Sequence, residues 1–158
     1  MIERNDGRAL AVAAVLAVAL AACGDNAFGP EPIGVEFAAS LGIDLSAMTQ
    51  TASGLYIRDD IVGTGGIPAE IGDQATVTYT GWLVDGEQFD GGELVALLGV
   101  TGLIAGFTEG ILGMAAGGTR TIVIPADLAY GSQELAGIPG NAVLVFEIML
   151  TSLVAAPS

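Results

Sequence analysis

Histidine and lysine are absent from this 158-residue chain, cysteine occurs once, and four arginines stand against eighteen aspartates and glutamates. Each shortage excludes a chemistry. Without histidine neither a Ser-His-Asp triad nor a His/Cys zinc site can be assembled. A lone Cys23 closes no intrachain disulfide. A net charge of −14 repels nucleic acid and anionic lipid surfaces, so no nucleic-acid partner is expected. The simplest role of the acidity is solubility. The sharper alternative is a divalent cation on the dense run Asp85-Gly86-Glu87-Gln88-Phe89-Asp90-Gly91-Gly92-Glu93. That run lacks the spacing of an EF-hand loop, and no metal is expected.

The length leaves room for one domain with a leader and a tether. Much of the 52% apolar content sits at the N-terminus, where residues 9–22 are an unbroken run of Ala, Leu and Val. As a helix that run is roughly 21 Å long, shorter than the ~20 residues a spanning helix needs, and it reads as the hydrophobic region of a signal peptide over residues 1–22. Leu20-Ala21-Ala22-Cys23 resembles the bacterial lipobox, which implies cleavage before Cys23 and acylation of that residue. The expectation is a protein anchored to a bacterial membrane, not spanning it, and held in an extracytoplasmic space, the periplasm or the cell surface. Residues 23–51, with Pro30, Pro32 and many small or polar residues, read as a tether in which Phe37 to Ile43 is a candidate short helix and Asp44 or Ser46 a local cap. A domain over 52–154 and a tail over 155–158 complete the chain.

Within the domain, Thr76 to Val84 is β-branched and aromatic, and Asp85-Gly86 suits a two-residue type I′ hairpin turn. Alternation puts Val77, Tyr79, Gly81 and Leu83 on one face and Thr76, Thr78 and Thr80 on the other. Leu55-Tyr56-Ile57 reads as a first strand, Gly63 to Gly66 as a loop, and Ile71-Gly72-Asp73 as a turn. Leu94 to Leu98 reads as a buried strand. Residues 103–114 carry apolar side chains at 104, 107, 111 and 114, a helical spacing, but three glycines mean that the helix needs a sheet to lie on. Thr119 to Ile124 is a strand ended by Pro125, Asp127 to Gly131 a turn, and Ala142 to Leu150 a last apolar strand. The fold class is α+β, an antiparallel sheet curled over one short helix.

Four stretches carry a resemblance. Tyr79-Thr80-Gly81 with Asp85-Gly86 and Phe89-Asp90, then Leu103 to Gly110, then Pro125 to Gly131, then Ile138 to Phe146, fall in the order found in FKBP-type peptidyl-prolyl cis-trans isomerases, and the chain resembles a bacterial lipoprotein form of that family. The resemblance implies a pocket of Tyr79, Phe89, Leu103, Ile104, Phe107 and Phe146, with Leu94 and Ile138 also meeting substrate. It gives Tyr130 the role of hydroxyl donor to a substrate carbonyl, Ile104 that of a backbone N–H donor, and Asp90 the task of orienting Tyr79 or shaping the field at the rotating bond. Phe107 stands where eukaryotic members commonly carry tryptophan. The segment after Asp90 is several residues shorter than usual, and Leu94 replaces a frequent aromatic.

The implied chemistry suits what the chain lacks. Amide resonance sets a rotational barrier of ~18–20 kcal/mol, and Xaa-Pro bonds exchange between two populated isomers over tens to hundreds of seconds. A twisted amide is stabilised by a dry aromatic pocket for the ring and a few fixed polar groups around the carbonyl, without nucleophile, metal or cofactor. Proline-containing polypeptides, exported proteins above all, are the implied substrates, FK506- or rapamycin-like macrolides the implied ligands, and a monomer the implied state. By residue pattern alone, Ile104, Phe107 and Phe146 read first as plain core, whereas Asp90 is the least easily explained as packing, a turn former being its simpler role. A binding module that holds proline segments with little catalysis is the alternative of a different class. An acidic hydrolase ranks last, because no spacing selects a carboxylate pair.

Overall fold

The computed structural model describes residues 35–100 and 102–157; the expected leader, the lipobox-like run and Cys23 lie outside the described residues. Six antiparallel strands form one sheet: β1 (Thr49–Gln50), β2 (Tyr56–Ile61), β3 (Gln74–Leu83), β4 (Gln88–Leu97), β5 (Thr119–Ile124) and β6 (Leu144–Val154). Their spatial order is β1-β2-β5-β6-β3-β4, and one helix, α1 (Ala105–Ile111), lies on the sheet. This is the α+β class expected.

Alternation in β3 sorts the two faces. Ala75, Val77, Gly81 and Leu83 are buried on the inner side, while Thr78 is exposed on the outer. Directly opposed pairs carry the pattern across the sheet, with Val77 facing Leu150 and Leu94, Tyr79 facing Ile148, and Gly81 facing Phe146. Ile122, Ile124, Leu144, Ile148 and Leu150 are fully buried with Phe107 and Ile111 of α1 in the main core. At roughly 25 cal/mol per Å² of apolar surface removed from water, this layer is what holds a seven-residue helix that could not persist alone.

Two helix glycines set how closely α1 approaches. A Cβ on Gly106 would sit 2.4 Å from Ile124 Cγ2, and one on Gly110 would sit 2.6 Å from Ile122 Cδ1. The residues that weaken the isolated helix are thus the seat that lets it lie on β5. Arg120 on β5 finishes the contact: its guanidinium donates to the carbonyls of Gly110 and Leu112 at 2.9 and 3.0 Å, and pairs with Asp59 at 2.7 Å. The terminal carbonyls of the helix, which have no intrahelical donor, receive a cation instead.

Three expectations need correction. Four residues, 84–87, connect β3 to β4; Leu83 N–H donates to Glu87 O at 2.8 Å and closes a three-residue turn, Val84-Asp85-Gly86, not a two-residue type I′ turn: Gly86 has φ 91° whereas Asp85 has no positive φ, and Gly86 N–H donates to Leu83 O at 3.0 Å. A turn followed by one left-handed glycine satisfies the twist of the strands equally well. Leu94 to Leu97 belong to one long edge strand that is buried on one face only, with Ala96 inside and Val95 55% exposed on the outer face, and the fully buried Leu98 lies just past its end. Finally, residues 37–48, read as part of a tether, are packed. Phe37, Leu41, Ile43, Leu45 and Met48 lie with Tyr56, Trp82, Val123 and Val145 on the outer face of the sheet. Ala38 N–H donates to Val84 O at 2.7 Å, and Asp44 caps the turn Leu45–Ala47 by accepting from Ser46 N–H at 3.0 Å.

Candidate functional site

A bulge in β4 builds the polar side of the site. Gly81 opposes Asp90 but Trp82 opposes Gln88, so Phe89 is an extra residue in its strand. An added residue breaks the two-residue alternation and re-aims its neighbours. Phe89 and Asp90, adjacent in sequence, therefore both reach the inner side. The Phe89 ring packs edge-on against Phe146 with centroids 5.5 Å apart, and Asp90 lines the pocket. Gly81 makes room for both rings, since a Cβ there would lie 2.6 Å from Phe146 and 2.9 Å from Phe89.

Tyr79, Asp90, Leu94, Leu103, Ile104, Phe107, Tyr130 and Phe146 surround a hollow of about 90 Å³, several times the space one water needs. Phe107 and Phe146, both buried, form its base. Tyr79 stands edge-on to Phe107 at 5.5 Å and tilted to Phe146 at 6.2 Å, and Phe107 stands edge-on to Phe146 at 5.3 Å. Edge-to-face packing of this kind fixes ring planes as well as filling volume.

The two pocket phenols differ in what holds them. Tyr79 Oη donates to Asp90 Oδ2 at 3.1 Å, and Asp90 is itself held by Gly91 N–H on Oδ1 at 2.8 Å. Burial, then the bond and the charge of Asp90, hold the Tyr79 hydroxyl above the usual phenol range. It stays protonated and committed. The Tyr130 hydroxyl has no hydrogen-bond partner among the described residues, and neither has the N–H of Ile104, the residue that precedes α1. Two open donors thus border an apolar, aromatic base. The arrangement can take a small ring into the hollow and offer hydrogen bonds to carbonyls beside it.

Eight of the expected site residues meet in this place, and two stand off it. Phe89 backs the wall behind Phe146 and does not line the hollow. Ile138 is buried in the core, drawn there by a reversal in which Leu135 and Ile138 exchange backbone hydrogen bonds at 3.0 and 2.9 Å. Gly102 lines the pocket and was not anticipated; a lone glycine in a loop carries no signal for it. Gly81 was placed on the inner face, but its role as a gap between two rings depends on which strands meet there.

Comparison with known proteins agrees with this geometry. The family model for FKBP-type peptidyl-prolyl cis-trans isomerase matches residues 65–151. FK506-binding protein 3 of Eremothecium gossypii is 44% identical over 104 residues, 63% of this chain and 25% of that protein. The crystal structure of FkpA from Escherichia coli superposes with a TM-score of 0.63 at 35% identity, covering 70% of this chain and 53% of that one. The crystal structure of AtFKBP13 superposes with a TM-score of 0.62 at 32% identity, covering 68% of this chain and 98% of the other. The chain spans about a quarter of the length of the curated relatives it matches.

Proposed function

Since this chain belongs to the FKBP-type peptidyl-prolyl cis-trans isomerase family, we propose that it accelerates rotation about Xaa-Pro bonds by holding a twisted amide in the pocket between β3, β4 and α1. The observation that carries this reading is the pairing of a closed aromatic base, Tyr79, Phe107 and Phe146, with two donors at its rim that have no hydrogen-bond partner among the described residues. The proline ring enters the hollow. Its burial removes water from the amide and favours the less polar, twisted state. Ile104 N–H and Tyr130 Oη hold the flanking carbonyls, and Asp90, through Tyr79, fixes the phenol ring and adds a negative field beside the rotating bond. Each 1.4 kcal/mol or so taken off the barrier is a tenfold gain, so several weak contacts suffice.

The substrates proposed are proline-containing segments of exported proteins, and the location an extracytoplasmic one, with the acylated Cys23 as anchor. The hydrophobic run over 9–22 and Leu20-Ala21-Ala22-Cys23 support that part of the reading. Macrolides of the FK506 type are proposed ligands, since relatives carry that ligand in their names. The catalytic reading is tested by protease-free relaxation of a short Xaa-Pro peptide with the purified full chain, with and without FK506. Acceleration that the drug abolishes supports it. Binding of drug and peptide with an unchanged relaxation rate overturns it and leaves a proline-binding module. The anchor is tested separately: Cys23→Ser should move the protein from the membrane fraction to the soluble one, and an unchanged distribution contradicts it.

A further inference from the structure

The two edges of the sheet are finished differently. The β2 edge is covered by the two-residue strand β1, whereas β4 runs for ten residues with no strand on its outer side among the described residues. Natural sheets blunt such an edge with lysine, proline, a bulge or a covering segment. Past the bulge at Phe89, the sequence Gly91-Gly92-Glu93-Leu94-Val95-Ala96-Leu97 contains neither lysine nor proline and keeps regular register with β3.

The hydrogen-bond parity of the hairpin shows which groups face outward. Leu83 N–H donates to Glu87 O at one end, and Leu98 N–H to Asp73 O at the other. The ladder therefore uses the odd residues of β3 and, past the bulge, the even residues of β4. The N–H and C=O of Glu93 and Val95 point away from the sheet. Gly91 N–H also points outward but is already taken by Asp90 Oδ1. The open stretch thus begins at Glu93. The same strand sends Asp90 and Leu94 into the pocket. At roughly 3.3 Å per residue, a polypeptide with its proline in the hollow reaches this edge within two or three residues.

We propose that the Glu93–Val95 edge of β4 is an extended-peptide exosite, which takes the chain flanking the proline as an added strand. The inference rests on the isomerase reading of the adjoining pocket and names its substrate class: polypeptides extended on the side of the proline that passes β4. Asp90 and Glu93 beside the track, within a chain of net charge −14, select neutral or basic flanks over acidic ones.

The test compares two peptides with the same Xaa-Pro centre on the full chain, a short blocked one and a longer one with uncharged β-branched flanks. A third copies the longer peptide with alternate flanking amides N-methylated, which removes strand donors without touching the protein. The expected result is a kcat/KM for the long peptide about tenfold above the short one, the worth of one or two net backbone hydrogen bonds. The ratio should fall close to one on N-methylation, and in Val95→Pro, where proline at an edge position removes an outward N–H. Equal turnover of long and short peptides, or an advantage that survives N-methylation, overturns the exosite. If neither peptide is turned over, the isomerase reading falls instead. Fluorescence anisotropy of the same labelled peptides then decides the exosite: tighter binding of the long one that N-methylation abolishes supports it, and equal binding overturns it.

Discussion

The two faces of one sheet are built from the same strands, yet they do different work. On the inner face, β3 contributes Val77, Tyr79 and Gly81, and residues opposed to them include Leu94, Leu150, Ile148 and Phe146. That face carries the helix and an aromatic hollow. On the outer face the same strand contributes Thr76, Thr78 and Thr80, opposed by the exposed Val95 and Met149, and an apolar cluster gathers at the end near Trp82 and Val145, where residues 37–48 cover it. The difference teaches that alternation alone divides the molecule into a side that binds and a side that needs only to stay wet or be strapped down. Stability is drawn from both faces, but the proposed turnover from one.

Substitutions can break that contrast or sharpen it. The largest effect is expected from Phe146→Ala, which empties the meeting point of three aromatic contacts. It should cost about 3–5 kcal/mol in denaturant unfolding and abolish turnover with it. On the outer face Met48→Ala, buried against Tyr56 and Val123, should lower stability by about 2 kcal/mol and leave kcat/KM for a short peptide unchanged. A parallel loss of activity would contradict the division between faces. Tyr130→Phe removes a hydroxyl that has no hydrogen-bond partner among the described residues, so folding stability should hold while kcat/KM falls about tenfold, the worth of one hydrogen bond to the reacting amide.

The smallest effect is one of pH. The Tyr79 hydroxyl is held above the ordinary phenol value near 10 by burial and then by Asp90. A group whose folded pKa is raised contributes stability that is complete below the unfolded pKa and is lost as pH rises through the folded one. The Tyr79 contribution to stability should therefore be complete and constant around neutral pH and should decline only above about pH 10. In Asp90→Ala the ultraviolet titration of this phenol should move toward lower pH; an unmoved titration would show that the Tyr79–Asp90 bond does not hold the ring.

Much of this arrangement was legible in the residues, and the gaps have physical causes. Period-two alternation in Thr76 to Val84, the β-branched run Thr119 to Ile124 and the 104, 107, 111 spacing are local signals, and each produced its element. The Phe89 bulge was not readable, because a bulge is a mismatch between two strands and one strand alone does not reveal it. The glycines of α1 read as weakness because their partners, Ile122 and Ile124, are more than ten residues away. The strap over 37–48 resembles a linker in composition; what packs it is an apolar patch of four residues from four strands. Of the site, the aromatic and acidic members could be named in advance through the family motifs. The distinction between a committed Tyr79 and an open Tyr130 required the folded geometry.

In the proposed mechanism a proline ring seated on Phe107 and Phe146 has its amide rotation accelerated there. Exchange NMR on an Xaa-Pro peptide, with and without a small fraction of the full chain, measures both parts at once. The expected result is cis–trans exchange far faster than the uncatalysed tens to hundreds of seconds, together with peptide-dependent shifts at Ile104, Phe107 and Tyr130. Shifts at those residues with exchange left at its uncatalysed rate would contradict it.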